Sequence, residues 1–192
     1  QDEAERARVF DGALARMSDM QPDRILVACN TLSILYPQTV FSRNPPMPVH
    51  GIVDAGVELF ARRLAEEPGA SILLLGTKTT IESGVHKERL ERAGVGAGRI
   101  AAVSCHGLAG AIERDVNGPR TDELIGVCAA RAAAAAPPGA PAFLGLCCTH
   151  YGYVADRLVG AVSARSSRRV LALDPNAHLI ATLAADGAAS SA

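Results

Sequence analysis

Two rhythms alternate along this chain: short unbroken apolar runs of strand length, and longer segments where apolar residues return every three or four positions. Glu3 to Met20 predicts an amphipathic helix with Val9, Ala13, Leu14 and Met17 on its apolar side, ended by Pro22. Arg24 to Ala28 predicts a strand delivering Cys29. Helical character resumes at Leu32 until Pro37, and a loop follows over Ser42–Pro48. Val49–Val53 reads as a strand and Asp54 as the cap of a helix carrying Val57, Phe60, Ala61 and Leu64 at i, i+3, i+4 and i+7.

Glu66-Glu67-Pro68-Gly69 is the best linker candidate, and a second run of alternating elements opens beyond it. The strand Ser71–Leu75 ends in Gly76-Thr77-Lys78-Thr79-Thr80, and a helix runs on to Gly94. Ile100–Cys105 predicts a strand, followed by a helix through Glu113, a turn at Asn117-Gly118-Pro119, and an Ala-rich helix from Asp122 to Ala136 halted by Pro137-Pro138-Gly139. The apolar run Phe143–Leu146 leads to Cys148. A helix over Val154–Val162, a polar loop Ser163–Arg168, a strand Val170–Leu173 and a helix from Pro175 to about Ala185 complete the order. Strands alternating with helices predict parallel sheets, with chemistry at the carboxyl ends of the strands.

Composition narrows the picture. A chain of 192 residues has length for one large or two small cores. Its 19 basic and 20 acidic residues leave a formal net charge of −1, which points to neither a nucleic acid nor a membrane partner. Aromatics are only 4% against 48% hydrophobic residues, as an aliphatic α/β core requires. No apolar run approaches the ~18 residues of a membrane span, and with no basic-then-apolar run before the first helix of this sequence, no export signal is expected. The five cysteines (Cys29, Cys105, Cys128, Cys147, Cys148) are expected to be reduced cytoplasmic thiols. Without Cys-x-x-Cys or paired His spacing, no metal site is expected.

The candidate chemistry lies in two matched strand ends. Ala28-Cys29-Asn30-Thr31 and Cys147-Cys148-Thr149-His150 each follow an apolar run with a cysteine and small polar residues. A thiol beside a hydroxyl and an imidazole can serve as nucleophile or acid/base. Each residue alone has an ordinary structural reading: Cys29 in a core, Asn30 and Thr31 as helix caps, His150 as a satisfied ring. Thr79-x-x-Glu82 alone reads as a capping box, and Lys78 as a solvated side chain. Two such cysteines in different halves of the chain suggest a pair acting from opposite sides of something held between them.

Taken together, the motifs resemble those of the aspartate/glutamate racemase family, and most closely its glutamate-type members. Ala28-Cys29-Asn30-Thr31-x-Ser33 is similar to that family's first cysteine motif, and Gly76-Thr77-x-x-Thr80-Ile81-x-Ser83-Gly84 to its threonine-rich loop. Leu146-x-Cys148-Thr149-His150-Tyr151 resembles the second cysteine motif, and Cys105 followed by Glu113 matches the spacing to an acidic active-site residue. The resemblance implies two doubly wound, flavodoxin-like parallel-sheet domains in pseudo-symmetric arrangement, residues 1–67 with 169–192 and residues 68–168. It implies cofactor-independent racemisation by Cys29 and Cys148, with His150 assisting Cys148 and Glu113 supporting the Cys29 side. Asn30, Thr31, Thr77, Thr80 and Thr149 would bind the substrate. A cytoplasmic enzyme feeding D-glutamate to cell-wall synthesis follows, with a small amino acid as its partner; a homodimer is compatible with the reading. Family members acting on aspartate, a hydantoin or another acid remain alternatives, as does a truncated non-catalytic homologue. The family's opening Asp-Ser-Gly strand has no match here, so a strand-plus-helix unit of roughly 30 residues or more is expected ahead of Gln1. Lys78, His86, His106 and Asp54-Ala55-Gly56 stand where the family usually carries other residues.

Two thiols suit this chemistry because racemisation removes the α-proton on one face and returns one on the other, so one group must start deprotonated and the other protonated. A free thiol is a few per cent thiolate at pH 7, so both forms are accessible.

Overall fold

The computed structural model describes residues 3–138 and 141–181. In chain order the elements are α1 (Glu3–Ser18), β1 (Ile25–Val27), α2 (Asn30–Leu35), β2 (Val49–Gly51), α3 (Ile52–Glu66), β3 (Ser71–Gly76), α4 (Lys78–Glu82), α5 (Val85–Arg92), β4 (Ile100–Ser104), α6 (Leu108–Arg114), α7 (Pro119–Ala135), β5 (Ala142–Cys147), α8 (Ala155–Ser166) and β6 (Val170–Leu173). β1 and β2 form a two-stranded parallel sheet, and the others a four-stranded parallel sheet in the order β4-β3-β5-β6. The fold is therefore α/β with two parallel sheets.

The larger sheet is covered on both faces, which is why β3 and β5 read as unbroken apolar runs. Side chains alternate across it. Ile72 and Leu74 of β3 and Phe143 of β5 meet Phe60 and Leu64 of α3 and Leu90 of α5. Leu73, Leu75, Leu144 and Leu146 meet Ile112 of α6, Ile125 and Ala129 of α7, and Leu158 and Val162 of α8. The smaller sheet rests on a modest core in which Phe10 and Leu14 of α1 pack on Ile25 and Val27.

Several expectations change. The buried side of α1 is Ala7, Phe10 and Leu14, while Val9 and Met17 lie outside, because the helix meets only a narrow two-stranded sheet. β2 stops at Gly51 and α3 begins at Ile52, so Asp54 sits in the first turn and pairs with Arg89 instead of capping. The helix expected up to Gly94 is two helices, broken at Gly84, whose φ of 69° ends α4 and starts α5. α7 starts at Pro119, which fits the first helical turn, and α8 runs through the supposed polar loop to Ser166. The linker is a tight turn: Arg99 donates to the carbonyls of Leu64, Glu67 and Ala70. Gly139, and the end of the last expected helix beyond residue 181, lie outside the described residues.

The domain boundary expected at residue 169 does not follow the sheets. β6 pairs with β5 and stays in the larger sheet. The return occurs one element later, where Leu179, in the helical residues 175–181, packs on Ile52 and Ala55 of α3. α3 itself, expected in the first unit, lays its apolar face on the larger sheet. Two of the five cysteines are also not free: Cys105, after β4, and Cys128 of α7 form a disulfide with Cα atoms 5.3 Å apart, because that loop lies directly over α7. Cys29, Cys147 and Cys148 are free thiols. Among the described residues, no helix is long and apolar enough to cross a membrane.

Gly145 is a position of close packing in the larger sheet. A Cβ there would stand 3.1 Å from both the Phe60 ring and Leu74 Cδ2, two side chains with no room to retreat. Gly145→Ala is expected to destabilise the protein by about 1–3 kcal/mol, read as a lower urea midpoint at unchanged m-value.

Candidate functional site

The carboxyl ends of β3 and β5 are neighbours, with Gly76 opposite Cys147, and the strand order reverses there. Open parallel sheets place ligands at such a point. The carboxyl end of β1 approaches from the other sheet and closes a cleft of about 360 Å³ lined by Ala28, Cys29, Asn30, Thr31, Thr77, Ala109, Cys148, Thr149 and His150. That volume suits a small molecule. A 500 Å³ hollow between α1, α2 and α4 and a 320 Å³ groove beside β2 contain no thiol.

Both free thiols of interest thus face one space. Cys29 precedes α2 in extended conformation and is exposed. Cys148 closes β5 and is 7% exposed. Burial pushes the Cys148 thiol up to about 11; backbone N–H groups of His150 and Tyr151 oppose the rise, and the charges of Cys29 and Glu113 add to it. Cys148 therefore holds its proton at neutral pH. Cys147, on the opposite face of the strand, is fully buried, its S–H turned to the Gly145 carbonyl at 3.6 Å, and burial raises its pKa further.

His150 lies in the 3₁₀ turn Thr149–Val154, with Nδ1 3.9 Å from the Cys148 sulfur. Its Nε2 stands 3.4 Å from Glu113 Oε1. Glu113 therefore backs the Cys148 side, not the Cys29 side expected for it, because α6 packs against the turn carrying His150. Tyr151, fully buried, donates its hydroxyl to the Cys105 carbonyl at 3.1 Å and fixes that turn against the loop after β4.

The threonines are coupled to each other. Thr77 caps α4, accepting from the Thr80 N–H at 3.3 Å, so the capping residue is Thr77 and not Thr79. Its hydroxyl donates to Thr80 Oγ1 at 3.0 Å, and Thr31 Oγ1 is 3.1 Å from Thr80 Oγ1. Thr80 is 1% exposed and joins the other two instead of lining the cleft. Thr149 donates to the Ala28 carbonyl across the gap between the sheets. Lys78 is outside the cleft and pairs with Glu82 at 3.8 Å on the surface of α4, so it brings no charge to the site. Among the described residues no cluster of His, Cys, Asp or Glu is arranged to hold a metal ion.

Sequence reasoning missed two contributors. Ala109, in the first turn of α6, forms part of the wall. His86, noted only as unusual, contacts Asn30; its spacing from Leu90 places both on the buried side of α5 and was the available signal.

Iodoacetamide should label Cys29 first, Cys148 slowly and Cys147 only after unfolding, as resolved by peptide mass spectrometry at pH 8. His86 gives a second test. Burial, with the Arg89 cation nearby, lowers its pKa from 6.5 to about 4. Between those values the unfolded chain binds a proton that the folded ring refuses, so this stability is present above the unfolded value and lost as pH falls toward 4. The loss is expected to reach about 3 kcal/mol and to shrink in His86→Phe, measured by urea titration at pH 7, 5.5 and 4.

Comparison with known proteins identifies the family and the fold. The Asp/Glu/Hydantoin racemase profile matches residues 1–183. Glutamate racemase of Aquifex aeolicus is 37% identical over 78 residues, 41% of this chain and 29% of that protein. Glutamate racemase of Campylobacter jejuni is 36% identical over 78 residues, 41% of this chain and 30% of that protein. The matched segments thus span less than a third of either relative. In fold, the chain is similar to the crystal structure of the Campylobacter jejuni enzyme, with a TM-score of 0.77 at 22% identity over 97% of this chain and 69% of the other. Glutamate racemase of Francisella tularensis in complex with D-glutamate gives 0.76 at 19% identity over 96% and 64%. A profile match over nearly the whole chain, on the racemase fold, shows that this chain belongs to the Asp/Glu/Hydantoin racemase family.

Proposed function

We propose that this chain interconverts L- and D-glutamate without a cofactor, using Cys29 and Cys148 as the two acid/base groups. The observation that carries the reading is that these thiols, from the ends of strands in different sheets, line one small cleft. Cys29 as thiolate takes the α-proton from one face, and the protonated Cys148 gives its proton to the other. Afterwards Cys29 is a thiol and Cys148 a thiolate, so proton exchange with solvent resets the pair.

The reverse direction needs Cys148 deprotonated first. For a thiol at about 11 that costs about 5 kcal/mol at pH 7. Local dipoles supply ~0.3–2 kcal/mol, which is too little. His150, backed by Glu113, stands where an acceptor for the proton is wanted. Asn30 and Thr31 offer an amide and a hydroxyl for the substrate's carboxylates, and Thr77 and Thr149, whose hydroxyl protons are held by Thr80 and the Ala28 carbonyl, would turn them to the substrate on binding. D-Glutamate as product suits a cytoplasmic role in supplying peptidoglycan synthesis.

Incubation with D- or L-glutamate in D₂O should place deuterium at the α-carbon together with inversion. Cys29→Ala and Cys148→Ala should each lower turnover by about 10²–10⁴-fold. Unchanged exchange in either variant would exclude the two-thiol mechanism, and faster exchange of aspartate than glutamate would reassign the substrate.

A further inference from the structure

His86 and Asn30 are both buried, 3% and 2% exposed, and come from different layers: Asn30 opens α2 directly after Cys29, and His86 lies in the first turn of α5. Their contact, His86 Nε2 to Asn30 Oδ1 at 3.0 Å, spans 56 positions of sequence. An amide oxygen only accepts, so the ring presents Nε2–H and leaves Nδ1 as a lone pair. His86 Nδ1 and Asn30 Nδ2 are both buried without a protein hydrogen-bond partner. A buried amide N–H₂ without a partner is costly, and Asn30 lines the cleft that holds both thiols.

We propose that His86 is a positioning residue: its Nε2–H holds the Asn30 side-chain oxygen, fixing the amide so that its N–H₂ donates to a substrate carboxylate beside Cys29. This rests on the reading of the cleft as an amino-acid site. With the Nε2–H tautomer, reversal of the amide would set two donors against each other, so that tautomer holds the amide in one of two otherwise similar orientations. Burial keeps that ring neutral across the physiological range. The break at Gly84 makes the contact possible, because it restarts the helix and turns His86 inward with Leu90. His86 touches no reacting atom and acts through Asn30 alone.

The test uses the full chain with His86→Phe, which keeps a ring and loses the donor, His86→Gln, whose amide N–H reaches a comparable distance, Asn30→Ala, and the Phe/Ala double variant. With D-glutamate, His86→Phe is expected to raise KM about tenfold while kcat stays within about threefold, and His86→Gln to recover most of the loss. The double variant should match Asn30→Ala, since the two residues form one unit. An additive double variant, or an unchanged KM in a folded His86→Phe, overturns the proposal. Nitrogen-15 NMR of the unmutated chain gives an arm independent of activity: an Nε2–H tautomer of His86 and a slowly exchanging Asn30 amide that shifts in His86→Phe support it, and an Nδ1–H tautomer overturns it. If the unmutated chain exchanges no α-proton of D-glutamate, the racemase reading falls, and the NMR arm still decides whether His86 orients Asn30.

Discussion

The carboxyl end of β1 belongs to a small sheet with a small core, yet its thiol lines the same cleft as one supplied by the larger sheet. Three hydrogen bonds join it to the larger sheet's loops: Thr149 to the Ala28 carbonyl, His86 to Asn30, and Thr31 to Thr80. Each anchor comes from a different loop or helix, and all converge on residues 28–31. Two strands form a marginal unit on their own. Placement of Cys29 therefore depends on these cross-links more than on the sheet that carries it.

The two thiols are consequently unequal. Cys29 stands exposed at the edge of a light sheet, while Cys148 is set in the packed end of β5 with a protonated thiol. Buried cores fix geometry but disfavour charge, and exposed loops do the reverse. In the proposed mechanism the His150–Glu113 pair would supply, on the buried side, the proton path that solvent would supply on the other. The same logic explains Tyr151, whose bulk and hydroxyl hold the turn that aims His150.

Much of this was legible in the chain. The long apolar runs of β3 and β5 announce a sheet buried on both faces, and the cysteines at strand ends announce where a site would lie. The order of motifs carried the family. Contacts made between elements were not readable: Glu113 was matched to the wrong thiol because spacing gives a helix position, not the direction in which the helix packs. Thr79-x-x-Glu82 has the pattern of a capping box, and only the turn after Gly76 gives the cap to Thr77. The pairing of Cys105 with Cys128 depends on a loop crossing α7, which no local pattern encodes.

α3 follows β2 in sequence, yet Phe60 and Leu64 cover the larger sheet and Ile52 and Ala55 receive Leu179 from the far end of the chain. One helix thus serves as a shared wall. Neither half is a self-sufficient hydrophobic unit: a fragment cut at residue 67 would leave one portion with a naked sheet face and the other with an unsupported helix. Such mutual dependence is what couples the unfolding of neighbouring layers in a small α/β protein.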